Sequence, residues 1–213
     1  SMKIPDTVIQ KPRRPVEEPG RKGRTVVVKP DGASGSEKVP VPKSKLVPRI
    51  TRVKHELLKT LAGLPTHVRF GIMKFNHQIG FFGSAPPPLP ERDKPIQHAA
   101  APALLQASKA NKQKAYDWVR TLKPSGATRT DLAVTRIFGM PEIDTIYLLT
   151  DGEPRDEKNQ KIAPEIVLTI ARIQNRFRKA RIHTIGFSQA GHTMQKLCRD
   201  LAGQNDGKCV LLD

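Results

Sequence analysis

Thr145-Ile146-Tyr147-Leu148-Leu149-Thr150-Asp151-Gly152-Glu153-Pro154 begins as an uncharged, largely apolar run and stops on a polar turn that carries Asp151 and Glu153. Counting Ile143 before it, the residues Ile146, Tyr147, Leu148 and Leu149 follow without polar alternation, which is the pattern of a strand buried on both faces. Asp151, Gly152 and Pro154 are turn residues, so the chain leaves the strand abruptly at its carboxyl end. A strand covered on both faces needs helices above and below it, and the flanking sequence should therefore alternate helix with strand.

Working outward, it does. Downstream, Ile162, Ile166, Ile170, Ile173 and Phe177 recur at helical spacing and predict a helix whose apolar stripe covers the sheet. Arg181 to Phe187 returns as a strand, Met194, Leu197, Cys198 and Leu201 mark a last helix, and Cys209 to Leu212 supplies the final strand after Gly203 and Gly207. Upstream, Lys109 to Leu122 reads as a helix presenting Ala115, Trp118, Val119 and Leu122, followed by a break at Pro124-Ser125-Gly126 and a short helix at Leu132-Ala133-Val134. His67 to Phe75 suits an interior strand, with Ile79 to Phe82 as a short companion. Leu46, Ile50, Val53, Leu57 and Leu61 form one stripe of a helix that Gly63 ends, and Arg24-Thr25-Val26-Val27-Val28 is the first strand, closed by Pro30 and Gly32. The class is α/β: a doubly wound, mostly parallel central sheet flanked by helices, of the Rossmann-like kind.

The chain of 213 residues fits one domain plus a tail. Residues 1–23 are basic and rich in proline and read as an extended arm or linker, leaving 24–213 as the domain. Inside it, residues 84–102 hold Pro86, Pro87, Pro88 and Pro90, which cannot donate ladder hydrogen bonds, and read as an irregular insertion covering an edge. The formal charge of +17 predicts attraction to polyanions, nucleic acid among them, although no aromatic residues interleave with the cations as a stacking surface requires. Cys198 and Cys209 lack the close spacing of a zinc pair and read as core thiols, and no apolar run is long enough to cross a bilayer. The six histidines make no triad or metal spacing, and there is no phosphate-cradling glycine loop.

In open α/β sheets ligands sit beyond the carboxyl ends of the strands. The loops expected there carry Ser34-Gly35-Ser36 after the first strand, Gly126-Ala127-Thr128 before the short helix, and Asp151. Three hydroxyls and one carboxylate are hard oxygen donors of low total charge, suited to Mg2+ and less well to Ca2+, with waters completing the shell.

At this point the sequence resembles the von Willebrand factor A family from about Arg24 to Asp213, most specifically in Thr145–Pro154 and Arg181–Phe187, with support from Gly126-Ala127-Thr128. The resemblance implies a metal-ion-dependent adhesion site in which Ser34, Ser36, Thr128 and Asp151 are ligands. The family's first aspartate belongs two residues before Ser34, where this chain has Gly32, while Asp31 stands one residue earlier. Two alternatives follow: a local bulge brings Asp31 to the metal, or the site has lost a ligand and binds metal weakly or not at all. Glu153 and Asp156, the nearby acids, read as turn and capping residues rather than ligands.

Three functions are weighed on these grounds. The resemblance implies a protein-interaction module, not an enzyme, whose metal takes a carboxylate from a partner to complete its coordination. A cationic nucleic-acid or ribonucleoprotein-binding module, using the basic arm, is the alternative. The third, a magnesium-dependent hydrolase built on Asp151, Glu153 and Asp156, places three acids on one loop with no separate nucleophile and base.

Overall fold

A computed structural model describes residues 49–89, 95–123, 127–140, 142–150 and 152–212, together with the backbone of strand β1 (Arg24–Val28). In chain order there follow α1 (Arg49–Gly63), β2 (Arg69–Phe75), β3 (Ile79–Phe81), β4 (Leu105–Gln106), α2 (Lys109–Thr121) and α3 (Thr130–Phe138). Then come β5 (Thr145–Leu149), α4 (Pro164–Asn175), β6 (Arg181–Phe187), α5 (His192–Gly203) and β7 (Cys209–Leu212).

The sheet runs β3-β2-β1-β5-β6-β7, with β4 paired to β2 beside β3. Strands β2, β1, β5, β6 and β7 are mutually parallel, and only β3 and β4 run against β2. This is the doubly wound sheet expected from the sequence. The chain winds one way from β1 to β2 and the other way from β5 to β7, so the switch point lies between β1 and β5. Register sets their ends level: Val28 is paired with Leu148, so the chain leaves β1 at the same edge where β5 passes to Thr150.

Both faces are covered. Ile146 and Leu148 of β5 pack with Ala133, Ile137 and Val167 on the side of α3, α4 and α5, while Leu149 packs with Leu57, Leu61 and Val119 on the side of α1 and α2. Alternation along the strand produces this division, since successive side chains point to opposite faces. Thr184 of β6, also fully buried, is accommodated because its hydroxyl donates to the Cys198 carbonyl at 2.8 Å. Cys198 is a buried free thiol whose ionisation burial pushes up to about 12, in keeping with a core role. Gly207 is demanded by close approach: a Cβ there would lie 1.7 Å from the Ile182 carbonyl oxygen. The segment after Ser84 touches β3 and the turn before it: the amide of Ala99 donates to the Ile79 carbonyl at 2.9 Å, and Gln78 Nε2 donates to the carbonyl of Pro88 at 2.7 Å.

One sequence expectation is corrected. The stripe Ile162, Ile166, Ile170, Ile173 and Phe177 is not the inward face of α4. Val167, Ala171 and Asn175 are buried there instead, with Leu168 and Ile170 partly so, while Ile166, Ile173 and Phe177 are exposed. The helix carries more apolar residues than one face can hold, and the arc with small Ala171 is the one that lets α4 sit close against its neighbours. Asn175 is buried because it is fully used: its side chain bonds both the amide and the carbonyl of Ala180 and donates to Asn205 Oδ1. The short helix expected at Leu132-Ala133-Val134 is α3, nine residues long. Strand β4 has no counterpart in the sequence reading, because two residues carry no periodicity.

Candidate metal-binding rim

Of the residues proposed as ligands, Thr128 lies within the described structure; Asp31, Ser34, Ser36 and Asp151 lie outside it, as does the question of Gly32 against Asp31. What can be built is the scaffold on which they would meet. Thr128 stands two residues before α3, and its carbonyl oxygen accepts the amides of both Thr130, at 2.9 Å, and Arg155, at 3.0 Å. The second bond ties the loop before α3 to the loop after β5. Gly152, the residue after Asp151, closes the contact: a Cβ at 152 would lie 3.0 Å from Thr128 Oγ1. A side chain at 152 would therefore crowd the threonine hydroxyl. Among the described residues that hydroxyl makes no hydrogen bond and is half-buried.

The loop beyond is held by its own acids. Asp156 Oδ1 accepts the amides of Lys158 at 2.9 Å and Gln160 at 2.7 Å, while Arg155 and Lys161 form a bridge across the turn. Glu153 pairs with Lys161 at 2.7 Å and with Arg155 at 4.0 Å. The reading of Glu153 as a turn residue and Asp156 as a loop cap agrees with these contacts.

Sequence reasoning missed the electrostatic work of Arg129. Its guanidinium binds Asp131 through both carboxylate oxygens, at 3.0 and 2.9 Å, and Glu157 at 2.6 Å. The hydrogen bonds to Asp131 are the main reason its ionisation is raised, so Arg129 stays charged. A cation next to a metal ligand would oppose a divalent ion, and the two carboxylates offset it. Across this network His98 is held below its ordinary value by burial and by Arg136 and Arg129. Nothing in the sequence pairs Arg129 with Glu157, twenty-eight residues away. Thr130 was missed as well: its Oγ1 is fully buried and is the one buried side-chain polar atom among the described residues without a hydrogen-bond partner. Among the described residues no group of three or more His, Cys, Asp or Glu could hold a metal.

The residues in view fit a magnesium site in their chemistry. Among the described residues the Thr128 hydroxyl has no competing hydrogen bond and stands beside the residue that follows Asp151, and the cation next to it in sequence, Arg129, is paired with carboxylates.

Comparison with known proteins places this geometry in context. No family model matches the chain. Over 105 residues, 49% of its length, it is 29% identical to human von Willebrand factor A domain-containing protein 3B, and over the same length it is 26% identical to human von Willebrand factor A domain-containing protein 3A. The matched stretch makes up 7% and 8% of those proteins, so the chain corresponds to a small part of them. Among solved structures, similarity extends to a von Willebrand factor type A protein from Catenulispora acidiphila, with a TM-score of 0.55 and 15% identity over 90% of this chain and 38% of that one. A pilus adhesin, SpaC, from Lactobacillus rhamnosus GG aligns with a TM-score of 0.57 and 14% identity over 89% of this chain and 28% of its own. BatB from Bacteroides thetaiotaomicron aligns with a TM-score of 0.52 and 13% identity over 90% of both chains. At these identities the structures speak for the fold.

Proposed function

Since the chain carries a von Willebrand factor A-type domain, we propose that it is a protein-binding module whose working surface is the rim at the carboxyl ends of β1 and β5. On this reading Thr128, Asp151, Ser34 and Ser36 would hold a magnesium ion, with Asp31 as the remaining acid available to it. When bound, the ion supplies a hard electrophilic centre with a coordination position for a carboxylate oxygen of the partner. The chain's own contribution is to hold the loops together and to keep rival charges occupied.

The observation that carries the proposal is the packing of Gly152 against the Thr128 hydroxyl, reinforced by the Arg155 amide on the Thr128 carbonyl. Two loops twenty-odd residues apart are locked at the point where the family's ligands would converge. The unsatisfied Thr130 Oγ1 also supports a polar occupant nearby, since buried hydroxyls ordinarily have a partner. Binding rather than catalysis is favoured because Asp156 is committed to loop amides and Glu153 to Lys161, which leaves neither acid free as a general base.

Thermal unfolding in a chelator and in excess magnesium tests the proposal. An ion that binds only the folded chain must raise the midpoint. The expected result is a rise for the intact chain, a smaller one for Thr128→Ala and none for Asp151→Ala, with all three alike in the chelator. Equal rises in all three would remove the rim from the account. Polyanion binding through the +17 charge is the second reading. It would appear as binding that falls steeply with salt and ignores the chelator.

A further inference from the structure

The face of α4 that the fold leaves uncovered is itself patterned. Ile166, Ile173 and Phe177 are 50%, 65% and 86% exposed, and they account for three of the five large hydrophobic residues exposed among the described residues. With partly buried Ile170 they stand at spacings of four, three and four, the seam of a helix that packs lengthwise on another helix. The backbone stays helical through Arg176, at φ −48° and ψ −42°, so Phe177 continues the row past the assigned end of α4. The arc of Val167, Ala171 and Asn175 is already used by the core, against which Ile170 also packs, and Ile166, Ile173 and Phe177 stay exposed among the described residues.

Its border is acidic at the first turn, where Glu165 stands, and cationic towards the carboxyl end. Arg172, Arg176 and Lys179 are exposed, and none is in an ion pair among the described residues. Arg176 lies over the Phe177 ring at 5.2 Å, which holds its charge beside the seam.

We propose that the outer seam of α4 docks an amphipathic helix of a partner protein that carries carboxylates beside its apolar row. This goes beyond the rim: it uses a different surface and no metal. A helix is favoured over a lipid surface because the apolar row is one residue wide, whereas an interfacial helix needs a broad apolar face to sink into the bilayer. The arm of residues 1–23 is disfavoured as occupant because it is itself basic and interrupted by Pro5, Pro12, Pro15 and Pro19.

The test uses the full chain and a synthetic peptide of about five helical turns, with leucines at heptad spacing flanked by glutamates, followed by fluorescence anisotropy. A lysine-flanked version, vesicles containing phosphatidylserine, and sedimentation of the chain alone are run beside it. The proposal expects the acidic peptide to bind with and without chelator, at least tenfold more weakly to Ile173→Asp and to Arg172→Glu/Arg176→Glu, and the lysine peptide not to bind. Because these positions are exposed, circular dichroism should show every variant folded, and a third variant, Phe177→Ser, should weaken binding in the same direction. Equal binding of the two peptides, indifference to Ile173→Asp, binding to vesicles in place of peptide, or seam-dependent self-association would each overturn it. Loss of peptide binding on adding chelator would assign the peptide to the rim and overturn the seam proposal, while leaving the rim reading intact.

Discussion

Helices α1 and α4 look alike as sequences and behave differently as structure. Each carries a row of large aliphatic residues at helical spacing. In α1 the row is inward, with Val53, Leu57 and Leu61 essentially out of contact with water. In α4 the more conspicuous row, Ile166, Ile173 and Phe177, faces outward, and a quieter one made of Val167, Ala171 and Asn175 faces the core. Helix α1 has one apolar arc, bordered by Lys54, His55 and Glu56, so its orientation follows from composition alone. Helix α4 has two, and the choice between them is made by its packing against α3 and α5, where close approach favours alanine over isoleucine. Periodicity identifies a helix; it does not say which of two apolar arcs the fold will use.

That contrast can be broken by substitution. Leu57→Ala removes a fully buried side chain from α1 and should destabilise by about 2–5 kcal/mol in denaturant unfolding. Ala171→Leu should cost about 1–3 kcal/mol through overpacking, although leucine is an excellent helix former; a neutral result would mean that α4 is not held by its Ala171 arc. Ile173→Ser, by contrast, should change stability by no more than about 0.5 kcal/mol, because the side chain is already exposed. A loss as large as that of Leu57→Ala would return the isoleucine row to the core.

The gentlest expected effect is on pH. His183 stacks on Tyr147 with ring centroids 4.8 Å apart, and its Nδ1 accepts the Lys208 amide at 3.1 Å. Burial first, then Arg181 and Lys208, hold its ionisation below the ordinary imidazole range, and His98 is lowered for similar reasons. Both histidines therefore bind a proton more readily unfolded than folded. Their contribution to stability is present above about 6.5 and is lost as pH falls below it. Unfolding midpoints followed from pH 7 downward should decline in that window, and His183→Gln should flatten part of the slope.

Much of the architecture was legible because strands buried on both faces leave an unmistakable trace. The runs at 145–149 and 181–187, separated by helical stretches, were enough for a parallel doubly wound sheet. What escaped has physical reasons. Strand β4 is too short for any period, and the orientation of α4 depends on neighbours rather than on its own residues. At the rim, Thr128 was legible by family resemblance, and the turn at Asp151-Gly152 by its chemistry. The ties that make the rim a single unit were not: the Arg155 amide on the Thr128 carbonyl, the Gly152 contact and the grip of Arg129 on Glu157 all join residues far apart in sequence.

The rim is the central claim, and calorimetric titration of magnesium into the chelator-stripped chain tests it most directly, with Asp151→Ala titrated in parallel. The account predicts saturable one-site binding for the intact chain and none for the variant. No heat of binding in the intact chain, or the same isotherm in both, would contradict it.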